Sequence, residues 1–183
     1  MSKRFDSMLE QHIQFIEQQH LFFVATAGAK GRVNVSPKGM DTLRVINNNK
    51  IIWLNYTGSS NETSVHVQEN SRMTLMFCSF DKEPMIMRIY GQAEVVHPRD
   101  KQWKEFSRLF PEYNATRQFF SLDVDLVQTS CGFSVPFFEY QGEREQLLEW
   151  SEKKGKEGIE SFWKERNQVS LDGLPTNILS ESN

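Results

Sequence analysis

The chain has 183 residues, a formal net charge of -3 and a hydrophobic share of 38%, which suit one folded domain with one core. The charge balance lacks the basic surface that binds nucleic acid, and apolar runs such as 21–27 are too short to span a bilayer. With no signal-peptide pattern at the N-terminus and only two cysteines, we expect a cytoplasmic protein with neither nucleic acid nor membrane as a partner.

Helical and strand periodicities alternate along the chain. In chain order they predict a helix over 5–16, strands over 21–26, 32–36, 43–46 and 51–55, a helix over 59–70, strands over 73–77 and 85–96, a helix over 103–110, a strand over 122–127 and a helix over 143–164. Six or more short strands with helices at intervals favour a closed or split barrel with appended helices.

Local signals refine several of these elements. Pro37 is expected to end the second strand, and Gly91 predicts a bulge or bend inside the longest one. Ser59 and Glu62 have the spacing of a capping box. Gly155 is expected to weaken the last helix.

The segment 32–39 (Arg-Val-Asn-Val-Ser-Pro-Lys-Gly) combines basic and hydroxyl side chains with an alternating strand pattern. Its charges can meet an anion, and its backbone N–H and C=O groups can meet a flat polar ring. By itself, the segment is better explained as an edge strand whose solvated charges prevent edge-to-edge association.

The segment 55–64 is rich in hydroxyl residues and opens a predicted helix. Unpaired N–H groups and the helix dipole favour an anion there, although an ordinary capped helix explains the segment equally well. Together with 32–39 it supplies what a planar ring with a phosphate requires. The chain has neither G-x-G-x-x-G nor G-x-x-x-x-G-K, so Rossmann and P-loop sites lack support.

Five segments follow one another in an informative order: Phe22-Phe23-Val24-Ala25-Thr26, 32–39, 53–64, Glu69-Asn70-Ser71-Arg72 and Arg88-Ile89-Tyr90-Gly91-Gln92-Ala93-Glu94. Over about 8–127 this series resembles the pyridoxamine 5′-phosphate oxidase-like, FMN-binding split-barrel proteins. The resemblance implies a mainly β single domain over 1–183, a six-stranded antiparallel split β-barrel of Greek-key topology with peripheral helices. It also implies a helical and extended tail from about 141, flavin mononucleotide (FMN) as cofactor, and a homodimer with the cofactor at the subunit interface.

The resemblance further implies which residues bind the cofactor. They are Arg32, Asn34, Val35, Ser36 and Lys38 on the strand, Tyr56 and Thr57 after it, and Asn61, Glu62 and Thr63 at the start of the helix. We add Ser60 as a hydroxyl donor of the same loop. Glu62 and Thr63 stand where relatives carry Arg-Lys, so Glu62 would repel a phosphate unless it turns back to cap its own helix. The chain also lacks the Trp- and Arg-rich ending of true pyridoxamine phosphate oxidases, so we expect a branch that does not oxidise pyridoxamine phosphate.

Two functions stay open at this point. One is an FMN-dependent oxidoreductase with a small-molecule substrate and NAD(P)H as a candidate electron donor, which needs few catalytic side chains because the flavin supplies the chemistry. The alternative is a non-catalytic protein that binds or carries flavin, haem or a deazaflavin. Four aromatic residues are a candidate cover over the flavin by analogy, and ordinary barrel packing explains them equally well: Phe133, Phe137, Phe138 and Tyr140.

The histidines and cysteines have ordinary interpretations. None of the four histidines stands at ligand spacing with a cysteine or another histidine, so we expect no metal site. Cys78 is expected to be a small core residue in a strand. Cys131, beside a glycine, is expected to be exposed.

Overall fold

A computed structural model describes residues 2–180 as an antiparallel sheet with four helices at its margins. The strands are β1 (Lys3–Phe5), β2 (Phe22–Thr26), β3 (Asn34–Lys38), β4 (Leu43–Asn47), β5 (Lys50–Tyr56), β6 (Arg72–Cys78), β7 (Ile86–Val96) and β8 (Thr116–Ser130). The helices are α1 (Glu10–Glu17), α2 (Glu62–Asn70), α3 (Trp103–Ser107) and α4 (Gln146–Arg166). Positions 1 and 181–183 of the predicted domain lie outside the described residues.

The strand order is β3-β2-β6-β7-β8-β5-β4, and β1 pairs separately with β8. Every pairing between these strands is antiparallel, and the 15-residue β8 contacts β7, β5 and β1. The mainly β class with peripheral helices is confirmed, and the described sheet has eight strands where six were expected. One addition is β1, whose last residue, Phe5, had been assigned to the opening helix. Phe5 pairs with Val127 there, and its ring lies 4.6 Å from that of His12.

Two apolar clusters cover the two faces of the sheet. Side chains of a strand alternate between its faces, so the neighbours Phe119 and Phe120 enter different clusters. Phe120 stacks on Trp53 at 4.5 Å between ring centroids, and Phe119 stacks on Phe110 at 5.6 Å. Both strand residues are buried, so β8 contributes to the apolar core on both faces of the sheet.

Three local predictions have different outcomes. The register shifts between Tyr90 and Gly91, so the predicted bulge is confirmed. Gly155 takes φ 62° and ψ 176° inside α4, so the predicted weakness is a kink. The end of β3 was placed too early: Pro37 pairs with Phe23 inside the strand. An edge strand tolerates proline because one side of its backbone has no partner strand.

The remaining features of the described chain agree with ordinary chemistry. Cys78 is buried and Cys131 is exposed, as predicted, and both are free thiols. Within 2–180 no helix has the length and apolar character needed to cross a membrane. Over the same residues, the His, Cys, Asp and Glu side chains form no group of three that can hold a metal ion.

Candidate functional site

The two predicted binding segments meet where β3 lies against the first turn of α2. Alternation along β3 puts Asn34, Ser36 and Lys38 on one face, each half-buried, and leaves Val35 on the other face, 59% exposed. Asn34 Nδ2 donates to Thr63 Oγ1 at 3.2 Å and to Ser36 Oγ at 3.1 Å. Segments that are 29 positions apart in sequence therefore form one surface, while the side chain of Val35 lies outside it.

Lys38 places a half-buried cation on this surface. Its ammonium lies 5.4 Å from the centroid of the Trp53 ring. The Asn55 side-chain amide is oriented so that its oxygen accepts from Arg117 Nη2 (3.0 Å) and Gln118 Nε2 (3.2 Å) and its nitrogen donates to the Tyr56 carbonyl (3.2 Å). Its nitrogen then faces the ammonium at 3.5 Å, so no acceptor of residues 2–180 binds Lys38. Burial, with Arg117 nearby, lowers the pKa of Lys38 to about 8.

A buried amide network lies beside Lys38. Gln118 on β8 stands directly opposite Asn55 on β5, and its Nε2 also donates to Asn61 Oδ1 at 2.7 Å. Asn61 is the residue before α2, and its side chain makes no capping bond to the helix. The predicted Ser59–Glu62 capping box is therefore absent, because Asn61 occupies the cap position and bonds to the sheet.

Arg117 is the most deeply buried cation of the site, at 3% exposure. Its Nη1 donates to the carbonyl oxygens of Ser60 (2.9 Å) and Gly58 (3.3 Å) and to Asn167 Oδ1 (3.0 Å). Burial lowers its pKa to about 9. Sequence reasoning missed Arg117 and Gln118 because the last strand was predicted from 122 onwards. Two polar residues directly before the apolar run were the available signal.

The end of α4 covers one of the predicted contacts. Trp163 Nε1 donates to Thr57 Oγ1 at 2.9 Å, and Asn167 Nδ2 donates to the Gly58 carbonyl at 3.0 Å. Thr57 is 1% exposed as a result, so its hydroxyl supports the loop from within and does not face a ligand. Periodicity predicted α4 itself, but no sequence pattern indicated where it would dock.

The extended tail engages two more of the predicted residues. Arg32 forms an ion pair with Asp172, and its backbone N–H donates to Asp172 Oδ2 at 2.8 Å. The Glu62 carboxylate accepts from the Leu171 N–H at 2.9 Å, so it does not turn back to cap α2. Both contacts hold the turn around 170–174 against the site. The side chains of Arg32 and Glu62 therefore already have partners in the tail.

Tyr56 faces the other side of β5 from Asn55. It packs against the apolar cluster that contains Phe119 and Phe110, with its ring 6.1 Å from that of Tyr113. Burial, followed by the neighbouring Tyr113, raises the pKa of Tyr56 to about 12. The Tyr56 side chain therefore belongs to the packing between β5 and the loop before β8.

The aromatic segment after β8 lies on the surface. The exposed fractions of Phe133, Phe137 and Phe138 are 82%, 76% and 64%, so their interpretation as ordinary barrel packing is wrong. Tyr140 stacks on His20 at 3.6 Å between centroids. A role for the segment as a cover over a flavin stays a prediction.

The open part of the site fits a phosphate group. Residues 58–60 are exposed, and the first turn of α2 has no side-chain cap on its backbone N–H groups. Such groups bind anions at helix N-termini. Lys38 contributes a cation that no acceptor among residues 2–180 binds, and the hydroxyls of half-buried Ser36 and exposed Ser60 add donors, whereas Thr63 is buried and bonds to Asn34. Glu62 is an unfavourable charge beside this surface, and one of its carboxylate oxygens accepts from the Leu171 N–H of the tail.

Comparisons with known proteins agree with this fold. The family described as pyridoxamine 5′-phosphate oxidase matches residues 8–131. The "Pyridoxamine 5'-phosphate oxidase family protein ustO" of Aspergillus flavus is 31% identical over 93% of this chain and 76% of its own length.

Two solved structures share the fold at lower identity. One, described as a putative pyridoxamine 5′-phosphate oxidase from Lactobacillus delbrueckii, has TM-score 0.56 and 20% identity, covering 67% of this chain and 94% of its own. A HupZ variant from Group A Streptococcus has TM-score 0.53 and 21% identity, covering 67% of this chain and 99% of its own. From the match over 8–131 and the fungal relative, the chain belongs to the pyridoxamine 5′-phosphate oxidase family.

Proposed function

We propose that the chain binds FMN between β3 and the first turn of α2, as a flavin-dependent oxidoreductase acting on a small molecule. The observation that carries the proposal is the contact between Asn34 and Thr63 at 3.2 Å. It joins a strand able to contact a flat ring to a helix start able to contact a phosphate. Family membership supports the same ligand.

Each part of the site has a definite task in this proposal. As an edge strand, β3 has one side of its backbone without a partner in the described sheet, and its N–H and C=O groups can bond to the ring edge. Lys38 and the loop 58–61 hold the phosphate. Bound flavin supplies hydride or electron transfer, and NAD(P)H is the proposed donor. We also propose a cytoplasmic location, because Cys78 and Cys131 are both free.

A visible spectrum of the purified protein, with and without added FMN, tests the proposal. The expected result is a bound flavin spectrum that NADPH or NADH bleaches. Bound flavin that neither nucleotide reduces would point to a carrier, and a haem spectrum would point to a haem-binding protein. A colourless protein that leaves the spectrum of added FMN unchanged would contradict flavin binding altogether.

We further propose a homodimer, with the cofactor at the subunit interface. Val33, directly before the edge strand β3, and Val35 within it are 72% and 59% exposed, and exposed apolar surface is typical of an interface. Light scattering is expected to give about twice the 21.4 kDa mass of the chain. A mass of one chain at micromolar concentration would remove the dimer from the proposal.

A further inference from the structure

The loop 58–60 is fastened from its inner side by one buried side chain. Arg117 Nη1 donates to the carbonyl oxygens of both Gly58 and Ser60, at 3.3 and 2.9 Å. Asn167 Nδ2 donates to the same Gly58 oxygen at 3.0 Å, and its Oδ1 accepts from Arg117. Two carbonyl groups of a three-residue loop are therefore directed into the protein.

This arrangement fixes the direction of the backbone N–H groups. The described peptides are all trans, and in a trans peptide the N–H points opposite to the C=O of the same unit. With the Gly58 and Ser60 carbonyls turned inward, the N–H groups of Ser59 and Asn61 point away from Arg117; Ser59 is exposed, whereas Asn61 is 2% exposed. No acceptor among residues 2–180 binds either N–H, and the outer face of the loop is exposed.

The charge of Arg117 has no carboxylate partner within the described residues. Its acceptors are two backbone carbonyls and the amide oxygens of Asn167 and Asn55, and its Nε has none. Burying an arginine against neutral groups is costly. The cost is explained if the guanidinium gives the loop both its shape and a positive potential beside the start of α2.

We infer that Arg117 is the positioning residue for the cofactor phosphate, acting through the carbonyls of Gly58 and Ser60 without touching the phosphate itself. This inference rests on the proposed function. It explains how a chain with Glu62-Thr63 at the start of α2 can hold a phosphate: the loop backbone takes the place of basic side chains. Asn167, directly after α4, then also contributes to binding, because it bonds both to Arg117 and to the Gly58 carbonyl.

The test compares FMN with riboflavin, which has the same ring and no phosphate. Dissociation constants for both are measured by flavin fluorescence on the wild type, Arg117→Met and Arg117→Lys. Lysine keeps a charge, but its three N–H donors cannot serve all four acceptors of Arg117, which are the Gly58 and Ser60 carbonyls, Asn167 and Asn55. It therefore preserves much of the electrostatics with an incomplete set of contacts to the loop. Arg72→Met is the control, because Arg72 is exposed on β6 and bonds to Asn70.

Both Arg117 variants are expected to lose about tenfold or more of the preference for FMN over riboflavin, the usual scale for charge-assisted hydrogen bonds. Riboflavin affinity is expected to stay near the wild-type value, as is the preference in Arg72→Met. An unchanged preference in folded Arg117→Lys overturns the inference, and so does an equal loss for both ligands, which a merely structural role produces. Failure of the proposed function is distinct, because the wild type itself would then bind no FMN.

Discussion

Replacing Lys38 by methionine is expected to weaken FMN binding by about 1–3 kcal/mol, the scale of a lost charge-assisted hydrogen bond. The Lys38 ammonium is half-buried beside Trp53 and Asn55 and has no acceptor among residues 2–180. A phosphate would supply that acceptor. Methionine preserves most of the apolar stem, so packing against Trp53 changes little. Titration of the apoprotein with FMN measures the effect.

Lys50→Met is the matched control for this substitution. Lys50 is also a partly buried strand lysine, but it pairs with Asp123 at 2.8 Å and lies at the far end of β5 from the site. Its replacement is expected to leave FMN affinity unchanged. Equal affinity of the wild type and Lys38→Met would show that the phosphate lies elsewhere.

The same lysine predicts a pH dependence with a definite sign. The pKa of Lys38 is lowered to about 8 by burial and by Arg117, so in the free protein the ammonium loses its proton as the pH rises through that value. FMN affinity is therefore expected to be nearly constant from about pH 7, where the phosphate (second pKa about 6) is a dianion, to about pH 8, and to decline above it. The part of the decline that begins near pH 8 should disappear in Lys38→Met, while a loss near the pKa of about 9 of Arg117 remains in both proteins. A decline of the same size in both proteins would assign it to another group.

Replacing Gly91 by alanine is expected to destabilise the protein by about 2–3 kcal/mol, as overpacking does in a dense interior. A Cβ at Gly91 would lie 2.0 Å from the backbone oxygen of Asp123 on β8. The contact is with backbone at the bulge of the β7–β8 ladder, so no side-chain rotation relieves it. The strands themselves must separate.

Thermal unfolding checks the Gly91 prediction. The melting temperature is expected to fall by about 5–10 °C for a chain of this size. Gly58→Ala is the control, because no atom lies within 4 Å of the Cβ that it adds, and its melting temperature is expected to stay near the wild-type value. A Gly91→Ala protein as stable as Gly58→Ala would contradict the tight contact.

Most of the fold could be predicted from the sequence, because strand alternation and glycine placement are local properties. The hairpins around 26–34 and 47–50 and the bulge at Gly91 all follow from residues close together in the chain. β1 could not be predicted in this way. Its three residues form a strand only because β8, more than a hundred positions away, offers an edge to pair with.

The candidate site, like the fold, was predictable only where its contacts follow from local sequence patterns. The segments that contain Asn34 and Thr63 were predicted to meet, and they do. The polar pair before the apolar run could have indicated that Arg117 belongs to the strand, but its contacts in the site depend on a register between β5 and β8 that no local pattern specifies. The pairing of Arg32 with Asp172 depends on a tail that docks 140 positions away in sequence.

A crystal structure of the protein grown with FMN tests the central claim most directly. The account predicts a phosphate within hydrogen-bond distance of Lys38 Nζ and of backbone N–H groups of the loop 58–61, with the ring along β3. Flavin density elsewhere on the protein, with Lys38 and that loop both left without a ligand, would contradict it.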